Sequence, residues 1–179
     1  MSLDRYEKAC KRYAPSSVNL LFVAEAPPAN RDRYFYFPEV RGHDHLWIGV
    51  MKALYREGFG ETPRERQRKH AWLKRFQRDG CKLIDAVKDP FSKGTSEKAK
   101  LAVLRAQANA LISEVRSFRP RQVVLIKVTV YDALYEPLRQ VGIPVVNARL
   151  PFPGSGRQNE FYKDFLKCCT EGKIALPAR

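Results

Sequence analysis

The chain of 179 residues carries 33 Lys and Arg against 19 Asp and Glu, a formal net charge of +14. That length suits one globular domain, residues 1–179, with a core that needs no disulfide staples, and no apolar run approaches the roughly 20 residues of a membrane-spanning helix. So large a positive excess on a small domain points to an anionic partner, nucleic acid before a membrane surface, and supplies affinity without chemistry.

Apolar runs alternate with amphipathic stretches, the pattern of a parallel sheet covered by helices. Residues 18–26 read as the first strand. Leu46, Trp47, Val50, Met51 and Leu54 recur at helical spacing and predict a helix over residues 44–57 that stops at Gly58. Thr62-Pro63-Arg64-Glu65 combines a capping box with proline at the first helical position, opening a basic helix that runs to Arg78. A second strand is expected over 81–87 and an exposed loop over 88–97. Leu101, Leu104, Ala108, Leu111, Ile112 and Val115 then mark one face of a long helix. A third strand over 122–128, a short helix over 131–140, a fourth strand over 143–147 and a last helix after "PGSGRQ" complete the pattern. The expected fold is α/β, a three-layer α/β/α sandwich with a four-stranded parallel sheet.

Open sheets of this kind bind ligands beyond the carboxyl ends of their strands, and the unusual stretches fall there. "AEAPP" follows the first strand, "DAVKDP" ends the second and "LPFPGSGRQ" follows the fourth. Each has a plain structural reading beside a functional one. Glu25 alone reads equally as a cap or ion-pair carboxylate, Tyr34 to Phe37 as packing or as a stacking platform, and Asp85 as an end-of-strand hydrogen bonder. Ser155 and Gln158 fit a capping box, while the glycines around them leave backbone N–H groups open to a phosphate that Arg157 can fork onto. His43 and His45 flank Asp44, but with no third ligand in view they read as helix entry, and no metal or other cofactor is expected. His70 reads as exposed. Arg64, Arg66, Arg68, Lys69, Lys74, Arg75 and Arg78 form a solvated basic face suited to sequence-independent phosphate contacts. The four cysteines (Cys10, Cys81, Cys168 and Cys169) lack metal-binding spacing and no secretory signal segment is apparent, so they read as reduced, mostly buried thiols of a cytoplasmic protein.

Taken together, these stretches resemble the uracil-DNA glycosylase superfamily. "AEAPP", 24–28, is similar to the first motif, written G-E-A-P-G in the branch whose well-known members carry an iron-sulfur cluster. "DAVKDP", 85–90, resembles that branch's N-x-V-K-C-x-P. "LPFPGS", 150–155, resembles the second motif, H-P-S-P-L-S. The resemblance runs in order and spacing from about residue 18 to 170. It implies that Glu25 is the catalytic carboxylate that orients water against the sugar C1′ and that Phe37, or in its place Phe35, stacks on an extruded base. Asp85 would read the base edge beside Ala26 and Pro27, and Gly154, Ser155, Gly156 and Arg157 would press on the DNA backbone. The implied partner is DNA, bound by a monomer that flips the nucleotide out of the stack.

The sequence also departs from the family. Leu150 replaces the second-motif histidine that stabilises the leaving base, and loss of such a donor typically lowers the rate by about 10²–10³. Asp85 replaces an asparagine, and an ionised carboxylate accepts but does not donate, which favours a deaminated purine or another damaged base at least as much as uracil. Asn147 or Arg149 stands near enough in sequence to supply the missing donor. The cysteines lack the close pair of the iron-sulfur branch. The expected activity is a monofunctional DNA glycosylase of altered specificity. The alternatives are a catalytically inactive nucleic-acid-binding protein of the same fold and a binder of small nucleotides.

Overall fold

The computed structural model describes residues 2–30, 33–39, 42–56 and 62–177. Its elements run in the order α1 (Ser2–Arg12), β1 (Leu20–Ala24), α2 (His45–Tyr55), α3 (Pro63–Gln67), α4 (Lys69–Arg78), β2 (Cys81–Asp85), α5 (Glu97–Ala106), α6 (Ala108–Phe118), β3 (Gln122–Leu125), α7 (Val128–Gln140) and α8 (Gln158–Thr170). The three strands form a parallel sheet in the order β2-β1-β3, with Ala24 opposite Asp85 and Val23 opposite Leu125.

Side chains alternate across a strand, so a strand that is apolar at every position must be covered on both faces. Leu20, Phe22 and Ala24 join a core with Trp47, Leu73, Phe76 and Phe165, contributed by α2, α4 and α8. Leu21 and Val23 join a second core with Leu104, Val115, Leu134 and Leu138 of α5, α6 and α7. The fold is therefore mixed α/β, with helices on both faces of a three-stranded parallel sheet.

The expected fourth strand does not form. The segment from Ile143 touches β3 through isolated bridges, Val123 with Val145 and Ile126 with Leu150. Val145 donates its N–H to Ile143 O at 2.7 Å and Ala148 donates to Val146 O at 2.9 Å, so these amides close local turns instead of a ladder. Pro144 has no N–H to give. The remaining edge is protected differently, since the Tyr36 hydroxyl accepts from Leu83 N at 2.7 Å and donates to Leu83 O at 3.0 Å, capping the outer side of β2.

Helix boundaries follow local chemistry. Asp44 caps α2 by accepting from Trp47 N, and Arg56 ends it in the left-handed region (φ 55°) with its N–H on Lys52 O. The Gly58 stop lies outside the described residues. The Thr62–Glu65 capping box forms reciprocally, but the basic helix divides at Arg68 into α3 and α4. The long apolar-faced helix likewise divides at Gln107 into α5 and α6. Its stripe continues across the break because Leu104, Ala108, Leu111, Ile112 and Val115 share one core. The first strand is shorter at both ends than expected and α7 begins three residues earlier. Helix α1 was not expected. Its Tyr6 packs on Tyr34 and Phe37, and Tyr13, just beyond the helix, on Tyr36, within the core that α2, α4 and α8 share with the sheet.

Candidate active site

The carboxyl ends of all three strands open into one cleft of about 1030 Å³. The first turns of α2, α5 and α7 also face it, so three helix N-termini direct partial positive charge into the same space. The sheet register sets the site: Ala24 stands opposite Asp85, so Glu25, one residue further on, and Asp85 lie at the ends of adjacent strands with their side chains leaving from opposite faces, and both border the cleft.

Glu25 is held by cations. Lys127 Nζ, from the turn between β3 and α7, lies 2.6 Å from Glu25 Oε1, and Lys100 Nζ of α5 lies 3.9 Å from Oε2. Both lysines also contact Glu97, at 3.0 Å and 2.7 Å, and the Thr129 hydroxyl donates to Glu97 at 2.6 Å. Hydrogen bonds from Lys100 first, then from Thr129, hold the Glu97 carboxyl down at about 2. Hydrogen bonding to Glu97 in turn raises Lys100. Lys127 adopts φ 85° and ψ 135°, a backbone region that side-chain-bearing residues avoid.

Asp85 is 6% exposed on the cleft wall. Burial pushes its carboxyl up to about 7, against the opposing pull of Lys88; Glu114 raises it and a hydrogen bond with the Tyr34 side chain lowers it. Lys88 Nζ reaches the Asp85 backbone O at 3.1 Å and Glu114 Oε2 at 2.7 Å. Near pH 7 a carboxyl so placed spends much of its time protonated, with one O–H donor and one carbonyl acceptor. In that protonated form the group both donates and accepts, as an asparagine would, whereas the ionised form only accepts.

The aromatic run divides its duties. Tyr34 and Phe35 line the cleft, whereas Phe37 does not. The Phe37 ring stacks on Tyr6 at 5.7 Å between centroids, with the Arg5 guanidinium 4.4 Å away, and is spent on core packing. Of the two candidates for base stacking, only Phe35 borders the cleft. Phe91 and Phe152, which sequence reasoning missed, border it too.

Ala26, Pro27, Gly154, Ser155 and Arg157 all line the cleft; Gly156 is not among the lining residues. Ser155 (φ 53°) and Gly156 (φ 82°) form a left-handed turn that leads into α8. The Ser155–Gln158 capping box does not form, because Arg157 occupies the N-cap position with no side-chain cap bond. Arg157 forks onto Glu160 instead, with Nε 2.7 Å from Oε2. The loop is fixed from behind by Gly49, where a Cβ would stand 2.3 Å from Pro153 Cβ.

The residues expected to replace the missing histidine are engaged elsewhere. Asn147 accepts from the Tyr131 hydroxyl at 2.6 Å, and Arg149 pairs with Asp132 through two contacts of 2.8 Å. Leu150 is buried. His43 and His45 border the cleft, their rings 6.0 Å apart. A Cβ on Gly154 would lie 3.4 Å from His45 Cβ, so this histidine adjoins the second-motif loop. No cluster of three potential metal ligands occurs among the described residues.

One member of the basic face is misplaced by the sequence reading. Lys69 is buried, with Nζ 2.7 Å from Asp44 Oδ2 and 3.0 Å from Tyr34 O, and burial lowers its pKa. Lys69 therefore braces the α2 cap and is unavailable to solvent. His70 is exposed and its Nδ1 lies 2.8 Å from the Tyr13 hydroxyl. The four cysteines are unpaired in disulfide terms, and no described helix is long and apolar enough to cross a membrane. No family model matches the sequence, and comparison with curated proteins finds no match.

Proposed function

We propose that this protein is a divergent DNA glycosylase of the uracil-DNA glycosylase kind, built as a three-layer α/β/α sandwich, that hydrolyses the N-glycosidic bond of a damaged or deaminated nucleotide turned out of DNA. The observation that carries this reading is that Glu25 and Asp85, at the ends of adjacent strands, both border one cleft with an aromatic wall and a cationic rim. On this reading the protein acts as a cytoplasmic monomer.

Glu25 serves as the anion beside the sugar. As the C1′–N bond lengthens, positive charge develops at C1′, and a fixed carboxylate in a partly dehydrated cleft stabilises it and accepts the proton of the attacking water. Lys127 fixes the orientation of that carboxylate at 2.6 Å. Asp85, protonated, donates to a carbonyl of the base and accepts from the neighbouring ring N–H, the pattern presented by uracil and by hypoxanthine. Phe35 stacks on the base. His45, next to Gly154, takes the role that Leu150 cannot fill and donates to the departing base. The rim cations and the 154–157 loop hold flanking phosphates.

A second reading has its own support. Lys127 occupies Glu25 Oε1 at 2.6 Å, where an attacking water would have to bind, which favours a binding protein that keeps the cleft without turnover. One experiment separates the two. Oligonucleotides carrying single uracil, hypoxanthine, xanthine or alkylated bases are incubated with the protein and treated with alkali to cleave abasic sites. Breaks at one modified base that disappear in Glu25→Ala support the glycosylase. Tight, salt-sensitive binding without breaks supports the binding protein.

A further inference from the structure

Lys127 has features that a monofunctional hydrolase does not require. Its amine is in the cleft, 2.6 Å from the Glu25 carboxylate, and its side chain is only 21% exposed. Its backbone is held at φ 85°, ψ 135°, a conformation natural to glycine, although the position carries the longest of flexible amines. The lysine adopts this conformation against its own backbone preference, and the side chain it contributes ends at Glu25. Lys100 completes a frame around it, since both amino groups contact the Glu97 carboxylate, at 2.7 Å and 3.0 Å.

We propose that Lys127 is a Schiff-base-forming amine and that the protein has lyase activity on abasic deoxyribose. The proposal rests on the reading that the cleft receives a nucleotide from DNA, but not on which base, if any, is excised. Lysine amines condense with carbonyl substrates when a neighbouring group relieves them of a proton. Here Lys127 Nζ passes one proton to Glu25 Oε1 across their contact and its lone pair attacks the C1′ aldehyde carbon of the ring-opened abasic sugar. The N–C1′ bond forms, the aldehyde oxygen leaves as water, and an iminium remains. A carboxylate oxygen of Glu25, after returning its first proton through that water, removes a proton from C2′. The C2′–H electrons form the C2′–C3′ double bond, and the C3′–O bond breaks with its pair going to the departing phosphate. Water then hydrolyses the imine, releasing an unsaturated aldehyde and regenerating the amine. No electron acceptor or donor is required.

The test uses the full chain and an oligonucleotide with one preformed abasic site, with sodium borohydride present to reduce any imine to a stable amine. The expected result is a covalent protein–DNA adduct whose modified peptide, identified by mass spectrometry, carries the sugar on Lys127. Lys127→Arg keeps a cation against Glu25 but cannot form an imine, so trapping is expected to fall roughly tenfold or more, while Lys167→Gln, on α8 and outside the cleft, traps as well as wild type. Without borohydride the same DNA is expected to be nicked at the abasic site. Adducts scattered over surface lysines, or trapping unchanged in Lys127→Arg, would overturn the proposal. So would absence of any adduct, and if base release persisted in that case the glycosylase reading would stand alone. Trapping at Lys127 with no base released from any modified oligonucleotide would uphold the lyase and remove the glycosylase.

Discussion

Lys127 Nζ lies 2.6 Å from Glu25 Oε1, tying the turn after β3 to the first residue after β1 at the floor of the cleft. The pair joins segments far apart in sequence, and Lys127 reaches it only through a backbone conformation that disfavours any side chain.

That conformation gives a clean comparison. Lys127→Gly and Lys127→Ala both delete the ammonium group, so their difference reports the backbone alone. Glycine normally destabilises relative to alanine, but here Lys127→Gly is expected to be the more stable variant by about 1–2 kcal/mol in denaturant unfolding. Equal stability, or alanine ahead, would mean that the turn is not strained.

Asp85 makes stability depend on pH in a defined direction. Its carboxyl is raised from 3.8 to about 7 by burial, so between those values the folded state holds a proton that the unfolded state has lost. The contribution is fully present below about pH 4 and is lost as pH rises through about 7. Asp85→Asn removes this dependence. The variant is expected to match wild type near pH 4 and to exceed it above pH 8, by on the order of 2–4 kcal/mol, in unfolding titrations across that range. Lys88, Glu114, Tyr34, Tyr36 and Cys10 are the charged or titratable groups around it, and they remain in both proteins.

The buried ion pair behind α2 predicts a strong single-site effect. Lys69→Ala leaves the largely buried Asp44 without its ammonium partner, and loss of one member of such a pair typically destabilises by about 3–5 kcal/mol. Lys69→Met combined with Asp44→Asn is expected to recover most of that loss, because asparagine still caps the helix. Thermal unfolding of the single and double variants checks this.

Much of the sheet was legible because uninterrupted apolar strands separated by helices admit few arrangements. The helix caps at Asp44 and Thr62 were equally plain, since each is a local pattern of side chain and amide. The fourth strand was not, because Val145 and Ala148 divert their amides into turns that an apolar run does not announce. Helix α1 left a visible trace in Tyr6, Cys10 and Tyr13 at helical spacing, which a closer count of periodicity reveals. For the site, Glu25, Asp85 and the 154–157 loop were placed by strand-end logic. Lys127, Lys100, Phe91 and Phe152 were invisible because their role comes from contacts between segments distant in sequence. Phe37 was exchanged for Phe35 because a loop of four aromatics carries no periodicity to say which ring faces the cleft.

Close packing of Gly49 on Pro153 positions the loop that borders the cleft. Gly49→Ala inserts a methyl group where Pro153 already stands, and overpacking of this kind typically destabilises by about 1–3 kcal/mol. Affinity for DNA is expected to weaken beyond what unfolding explains, since the loop must move off α2. Salt-dependent DNA binding measured well below the melting temperature checks it.

Whether Glu25 is the reacting carboxylate is read from release of a base from oligonucleotides bearing one modified base each, comparing wild type with Glu25→Gln, which preserves the size of the side chain but removes its charge. The expected result is release at one modified base by wild type and a loss of roughly 10² or more in Glu25→Gln, with DNA binding retained. Release that is unchanged in Glu25→Gln, or absent from wild type across the whole panel at high protein concentration, would contradict a glycosylase centred on Glu25.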